Sequence, residues 1–522
     1  MQPSGHASGK TGPRHLVLLA LVLALGLFAR TWEFGRLPPS LNPDEASNGV
    51  DALSLLRFGQ ERNGVTFPVK LISWGGGQDA LYAYLVIPLI GVVGLSPVNL
   101  RLPMLLTALA TLPLAYLATR RIFGAGVALV AMFMLAISPW HVLMSRWALE
   151  ANLLPFVFLA GFVSLLWMPK SGWWFVPACL LLALCLYAYG TAYVVIPVFM
   201  AGALLLIARE RALRASQLWT GLAVFVLLAF PIGLLVILNS LGLDSVRLGL
   251  LTVPRFPVAP RWESVTVLGT SDVAGALEIN AITSLRLLWA ESDGISYNAL
   301  EPYGIFYHLS LALALSGVAL IVARRELNPG TRLLLLWLLA AGCVGVLSQV
   351  NINRFNIIFI PLIILGARTL HQIQGAHRAL GPITVLALLG AFSAFTVSYH
   401  GEQYRGAANH KFQNGVIPAL LAAQRGTVGI ICVTDKINMP YIYALFTEPI
   451  SPVEFQASVE YVDPAEPLRR VASFGRYIFG AANCRGVEAP TYVLTAEEIP
   501  PRMGNRYEYE FFDNFVVYSP RQ

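Results

Sequence analysis

The sequence predicts an α-helical multi-pass membrane protein of about 11 spans, with juxtamembrane helices and a small α/β domain on the outer side. Three observations predict it. Hydrophobic residues make up 56% of the 522 positions and the mean hydropathy is +0.64. They come in runs such as HLVLLALVLALGLF at 15–28, LAVFVLLAFPIGLLVIL at 222–238 and LLLLWLLAAGCVGVL at 333–347. A span needs about 20 mostly apolar residues to cross ~30 Å of hydrocarbon. Basic residues concentrate in alternate connections, and the chain turns mixed-polar and β-rich after residue 399.

The first run is read as a retained span. The bulky TWEFGR that follows it lacks the small-x-small pattern of a cleaved leader. Lys10 and Arg14 place residues 1–14 in the cytoplasm, because inner loops are enriched in Lys and Arg. The same rule puts ATRRIFG (118–124), MPKSG (168–172), ARERALR (208–214), ARREL (323–327) and the 368–378 connection inside. The connections 35–100, 138–152, 189–193, 239–302 and 351–356 and the tail from 399 then fall outside. The apolar run 81–95 is too short for a full crossing, and a crossing there would invert every later loop. It is read as an outer juxtamembrane helix.

The chain thus divides into a cytoplasmic segment (1–14), a membrane domain (15–398) and an extracytoplasmic α/β domain (399–522). The tail's β-rich pieces are TVGIICVT (427–434) and FFDNFVVYS (511–519), with turn signals at PAEP and MGN. The net charge of +7 reports topology rather than a nucleic-acid partner. Cys179, Cys185 and Cys343 lie in apolar spans as packing residues. Cys432 and Cys484 share the tail and form one bond if it is extracytoplasmic. There is no CxxC and no metal-ligand spacing of Cys and His.

The chemistry is expected in LNPDEASNG (41–49). Asn42 suits a helix N-cap, Pro43 the first helical position and Glu45 the capping-box position. That leaves Asp44 without a structural task. On the helix that follows, Ala46, Val50 and Leu53 share one face and Asp44, Asn48 and Asp51 the opposite one. Such a helix is expected to lie along the outer membrane surface with its polar face turned toward a ligand. Gln78 and Asp79 follow the flexible WGGG on the same side, and Arg146 and Glu150 stand four apart in the next outer loop. Arg354 is the single charge of NINRFN (351–356). It either meets a ligand or snorkels to headgroups. Tyr187, Tyr189 and Tyr193 fit an interfacial aromatic belt. Tyr82, within LYAYL, and Tyr189 are the aromatic candidates for substrate contact.

An Asp-Glu pair opening an amphipathic helix just after the first span resembles the first-loop signature of GT-C class glycosyltransferases. The similar branch is that of protein O-mannosyltransferases and lipid A aminoarabinose transferases. LYAYL (81–85), a span opening with Arg-Leu-Pro (101–103) and ending LAYLATRRIFG, and ISPWHVLMSR (137–146) followed by an acidic residue extend the resemblance over residues 15–210. The chain departs from the pattern where family members carry a His-Pro-Pro-Leu-like element. It reads GGGQDAL at 75–81, with Gln78 or Asp79 as the replacement.

The resemblance implies a GT-C-like enzyme of the plasma (inner) membrane. It would transfer a sugar from a polyprenyl-phosphate-linked donor to an acceptor hydroxyl of a protein, lipid or cell-envelope glycan, with inversion, on the extracytoplasmic side. The absence of a Gly-rich phosphate loop agrees with a lipid-linked donor. Asp44 is the expected general base. Arg146 and Arg354 are the expected cations for the leaving phosphate, with Arg57, Arg62 and Lys70 as weaker ones. Glu150 orients the acceptor, holds Arg146 or helps Asp44 bind a divalent ion. Glu45, Asn48, Asp51, Gln78 and Asp79 complete the substrate side. Either no cofactor is required or the carboxylates hold Mg²⁺ or Mn²⁺. The competing classes are a lipid or glycan flippase, which places ionisable groups within its spans, a lipid-linked glycan polymerase or ligase, and a non-catalytic scaffold. The scaffold would not need Asp44, Arg146 and Glu150 to meet in one pocket.

Overall fold

A computed structural model describes residues 12–501 and 507–521. Lys10 and the MGN turn at 503–505 lie outside the described residues. Among those described, eight helices are long and apolar enough to cross a membrane by length and composition, beginning with α1 (Pro13–Thr31). Four shorter apolar helices, Leu81–Val93, Ala125–Ala136, Gly172–Ala188 and Ser310–Ala323, stand beside these eight, where the sequence predicts about 11 spans. The chain is a multi-pass membrane protein. Between the first two long helices lie α2 (Pro43–Phe58) and α3 (Leu81–Val93). At 1.5 Å per residue, α3 is about 20 Å long, short of the hydrocarbon thickness.

The connections sort into two sets that touch within themselves. In the set expected inside, Arg121 Nε donates to Leu166 O at 3.2 Å, Arg332 pairs with Glu210 at 3.2 Å and Arg368 with Glu326 at 2.6 Å. In the other set, Val69 N–H donates to Thr252 O at 2.9 Å, Thr266 bridges Ser348, and Asn356 Nδ2 donates to Ala151 O at 2.8 Å. The helices between them pack through small residues and aromatic wedges. A Cβ on Gly317 would fall 2.3 Å from Leu365 O, so these two helices approach to backbone contact. Phe158 and Phe162 pack against Trp337, with Phe199 against both of them, and the Trp337 indole N–H is satisfied by Ile357 O at 3.0 Å.

The 239–302 connection is more ordered than a loop. It contains a short hairpin, Val246–Leu248 with Leu251–Val253, and an 18-residue helix, Val273–Ala290, set against Gly345 and Val346. Beyond residue 400 the tail forms a seven-stranded mixed sheet. Its spatial order is Tyr507–Phe512, Phe515–Pro520, Thr491–Thr495, Ile431–Val433, Tyr477–Phe479, Val471–Phe474 and Glu460–Tyr461. Ile431–Val433 pairs in parallel with both neighbours. Each expected β-rich piece supplies strands, the second as a hairpin turning at Asp513 and Asn514. Cys432 and Cys484 are disulfide-bonded.

This domain docks on the membrane domain through its Tyr441–Thr447 helix. Tyr443 donates to Leu41 O at 3.0 Å, and Phe446 lies against Gly49. As a result α2 is enclosed rather than laid on a membrane surface. Its residues from Glu45 to Leu55 are all buried, the polar face included. The helical period assigns faces correctly, but it cannot say that a second domain and the 59–79 segment will cover the polar one.

Candidate active site

The start of α2 follows its local pattern. Asn42 Oδ1 accepts the Asp44 N–H at 3.0 Å, and Glu45 Oε2 accepts the Asn42 N–H at 3.0 Å, closing a capping box. Glu45 also meets Arg101 in a two-pronged pair, both contacts 2.8 Å, and accepts the Ala148 N–H at 2.6 Å. Arg101 spends its remaining donors on Pro38 O and Ser40 O. Both side chains are fully buried. Glu45 therefore has no free edge for substrate, which corrects its expected binding role.

Asp44 is oriented differently. It is half-buried, and Oδ1 accepts the Trp74 indole N–H at 3.0 Å. Among the described residues no hydrogen bond reaches its other oxygen. Burial raises its pKa above the usual carboxylate value. The Trp74 N–H and the positive charge of Arg261 pull it back down, and the neighbouring Glu45 pushes it up.

Two side-chain amides tie Glu150 to this turn. Asn48 Nδ2 donates to Asp44 O at 3.1 Å and to Glu150 Oε2 at 3.2 Å. Gln78 Nε2 donates to the same two acceptors at 3.3 and 3.2 Å. Ser47 and Ser73 fix the Gln78 amide by donating to its Oε1 at 2.7 and 2.9 Å. Residues from α2, from the 59–80 segment and from the 138–152 connection thus converge on one point.

Asp79 lies beside this cluster and pairs with Lys70 at 2.5 Å, while Lys70 also donates to the Tyr193 hydroxyl at 3.2 Å. Burial opposes the charge on Lys70, but Asp79 and Tyr193 outweigh it and hold its pKa above the ordinary value. Tyr189 completes the rim. Burial pushes its phenol up to about 12, with Arg354 pulling against this and Glu150 and Asp79 adding to it. Arg354 remains partly exposed, with one N–H given to Gln349 O at 3.2 Å.

Three further expectations are corrected. Arg146 neither pairs with Glu150 nor faces the cluster. Its guanidinium donates to the carbonyls of Leu37, Ala29, Arg30 and Trp32 and lies over the Tyr399 ring. Glu150 instead opens a 3₁₀ turn, so the helical four-residue spacing that would pair them does not exist. Asp51 is buried in an ion pair with Arg62 at 2.5 Å, which removes both from the substrate side. Tyr82 is buried, with its hydroxyl donating to Leu100 O at 2.7 Å.

Two residues have no individual role in the sequence reading, Trp74 and Arg261, the second grouped with Arg255, Trp262, Glu263, Glu291 and Asp293 in a 239–302 connection expected to shape the acceptor side. Trp74 carries a visible signal, a lone aromatic before three glycines. Arg261 carries none, since nothing local separates it from Arg255. Arg261 is exposed, and its side chain makes no hydrogen bond or ion pair among the described residues. Among the described residues no group of three or more His, Cys, Asp or Glu could hold a metal ion. Asn48 Oδ1, on the same helix as Asp44, is buried without a hydrogen-bond partner.

Residues 80–234 match the profile of the family described as dolichyl-phosphate-mannose-protein mannosyltransferase. No curated protein sequence matches the chain. Among solved structures, ArnT from Cupriavidus metallidurans bound to undecaprenyl phosphate aligns at a TM-score of 0.57 and 12% identity. The alignment covers 97% of each chain. The oligosaccharyltransferase AglB from Archaeoglobus fulgidus, in complex with an inhibitory peptide and a dolichol-phosphate, aligns at 0.50 and 13% identity, over 98% of this chain and 74% of that one. An Archaeoglobus fulgidus oligosaccharyltransferase in the apo form aligns at 0.49 and 13% identity, over 83% of this chain, and the match spans 63% of that longer protein. The multi-pass GT-C fold suggested by residues 15–210 therefore extends over nearly the whole chain.

Proposed function

We propose that this protein transfers a sugar from a polyprenyl-phosphate-linked donor to an acceptor hydroxyl at the extracytoplasmic face of the membrane. The observation that carries the reading is Asp44. It is the one carboxylate of the cluster that is only half-buried, its Oδ2 accepts no hydrogen bond among the described residues, and it stands where α2, the 59–80 segment and the 138–152 connection meet.

The acceptor oxygen attacks the anomeric carbon as Asp44 takes the hydroxyl proton. The bond from that carbon to the phosphate oxygen breaks, and in-line attack inverts the centre. The donor leaves as a polyprenyl phosphate, which gains a negative charge that a cation should meet. With Arg146 spent on backbone carbonyls and Lys70 buried against Asp79, Arg261 and Arg354 are the candidate cations for it. Glu150 acts as a buttress that sets the α2 turn through Asn48 and Gln78. A divalent ion would be held by Asp44 and Glu150, and the steps above use only the protein's own groups.

An extracytoplasmic placement is supported by the Cys432–Cys484 disulfide, which needs an oxidising compartment. It is supported too by the segregation of the basic connections to the opposite set. The test is transfer by the purified protein from a panel of polyprenyl-phosphate-linked mannose, glucose and aminoarabinose. Asp44→Asn should lower turnover by about 10²- to 10⁴-fold, the range for a general base, with unchanged thermal melting. Undiminished transfer in that variant sinks the reading.

A further inference from the structure

Trp74 is the one side chain that holds the Asp44 carboxylate, and its surroundings are built more carefully than a surface loop requires. The indole N–H reaches Asp44 Oδ1 at 3.0 Å. One face of the ring carries the Arg62 guanidinium, 5.1 Å from the ring centre. The Tyr441 ring, from the C-terminal domain, meets it edge-on at 5.9 Å and 89°. Tyr441 in turn stacks on Phe455 at 6.1 Å and 9°.

The backbone is clasped on both sides as well. Arg469 N–H, from the C-terminal domain, donates to Trp74 O at 2.9 Å, and Arg261 N–H donates to Gly76 O at 2.9 Å. The three glycines after Trp74 allow this closeness. A Cβ on Gly76 would stand 2.9 Å from Ala259 O, and one on Gly77 would stand 2.6 Å from the Phe256 ring. Gly75 and Gly77 have φ of +112° and +96°, a backbone region that other residues rarely adopt. WGGG, read from sequence as a flexible stretch, is a fixed joint between the first outer segment, the 254–262 segment and the C-terminal domain.

We propose that Trp74 is a positioning residue for the transfer reaction, holding Asp44 in its ionised, aimed form and linking that state to the docking of the C-terminal domain through Tyr441. The inference rests on Asp44 as the base. The N–H gives a bond to the carboxylate that the protonated acid would accept less well, so its loss favours protonation. The other charged or titratable groups that face Asp44 are Glu45 on its own helix, Arg62, Glu150, Arg261, Tyr297 and Tyr443. Trp74→Phe alters none of them, and it keeps a ring for Arg62 and Tyr441 to pack on.

The experiment uses the full chain in lipid nanodiscs and two readouts. The first is the pH dependence of carbodiimide labelling at Asp44, read by peptide mass spectrometry, because the reagent attacks the protonated acid. The second is the acidic limb of kcat/KM with the active donor of the panel. Trp74→Phe should move both midpoints upward by about one pH unit, the size expected for one bond to a charged acceptor. Tyr441→Leu leaves the N–H in place but removes its support, and should move both in the same direction by less. It also decides the matter if Trp74→Phe does not fold. Unmoved labelling in a folded variant overturns the role of Trp74 while Asp44→Asn remains inactive. Transfer that survives Asp44→Asn removes the base itself, whichever way the labelling moves.

Discussion

Two layers of charge lie back to back across the first turn of α2. Behind it, Glu45, Arg101 and Arg146 are fully buried, and nearly every donor and acceptor is matched by a carboxylate edge or a backbone carbonyl. In front, Asp44 has an open oxygen, Asn48 has a buried oxygen with no partner, and the Arg261 side chain has no hydrogen-bond or ion-pair partner among the described residues. Both layers contain a carboxylate and arginines from distant segments. A buried charge is tolerated when its hydrogen bonds are complete, so the rear layer reads as a strut. Incomplete bonding in the front layer leaves room for a ligand to complete it.

The largest effects should separate the layers by what they damage. Arg101→Met leaves Glu45 buried without its cation, at a cost of about 3–5 kcal/mol in stability. Arg146→Gln strips donors from several carbonyls at once and should also lower the melting temperature markedly. Pairing Arg101→Met with Glu45→Gln should recover part of the loss, because the uncompensated charge is then gone. Thermal melting of the purified variants checks this. If Arg101→Met melts like the wild type yet transfers no sugar, the rear layer is not a strut and the comparison fails.

The same division explains how much was legible in advance. The capping box and the freedom of Asp44 lie within four consecutive residues, and local rules of helix termini find them. The apolar helices and the β-rich tail follow from composition and period. What the sequence hides is the direction of a side chain toward a partner far along the chain. Glu45 and Arg101 are 56 residues apart, and nothing at either position predicts their pairing. Arg146 was placed in the right loop, but only the fold turns it toward Leu37 and Trp32 rather than toward Glu150. Arg261 sits in the long 239–302 connection, whose path no local pattern sets.

A smaller effect should distinguish a front-layer cation from a surface one. Arg261→Gln removes a charge close enough to Asp44 to favour its ionised form. It should lower kcat/KM by about tenfold, one charge-assisted contact to phosphate, without altering melting. Arg255→Gln is the matched control, since Arg255 is exposed and pairs with exposed Asp244 at 3.3 Å. Equal losses in the two variants would mean that the front layer has no special claim on Arg261.

The smallest effect concerns Glu150, whose place between the layers is the hardest to read. It was expected to be catalytic, yet Oε2 is occupied by the Asn48 and Gln78 amides and the side chain is only 7% exposed. A buttress needs an acceptor at that oxygen and not a negative charge. Glutamine supplies the acceptor, because its carbonyl can take the same two N–H groups. Glu150→Gln should therefore keep turnover within about fivefold of wild type. Glu150→Ala leaves both amides without their acceptor and frees the α2 turn, and should lose about 10²-fold, comparable with misplacing a reacting group. Steady-state rates of the two variants decide between the roles. A loss in Glu150→Gln as deep as that in Glu150→Ala would make the charge itself essential and move Glu150 into the front layer beside Asp44.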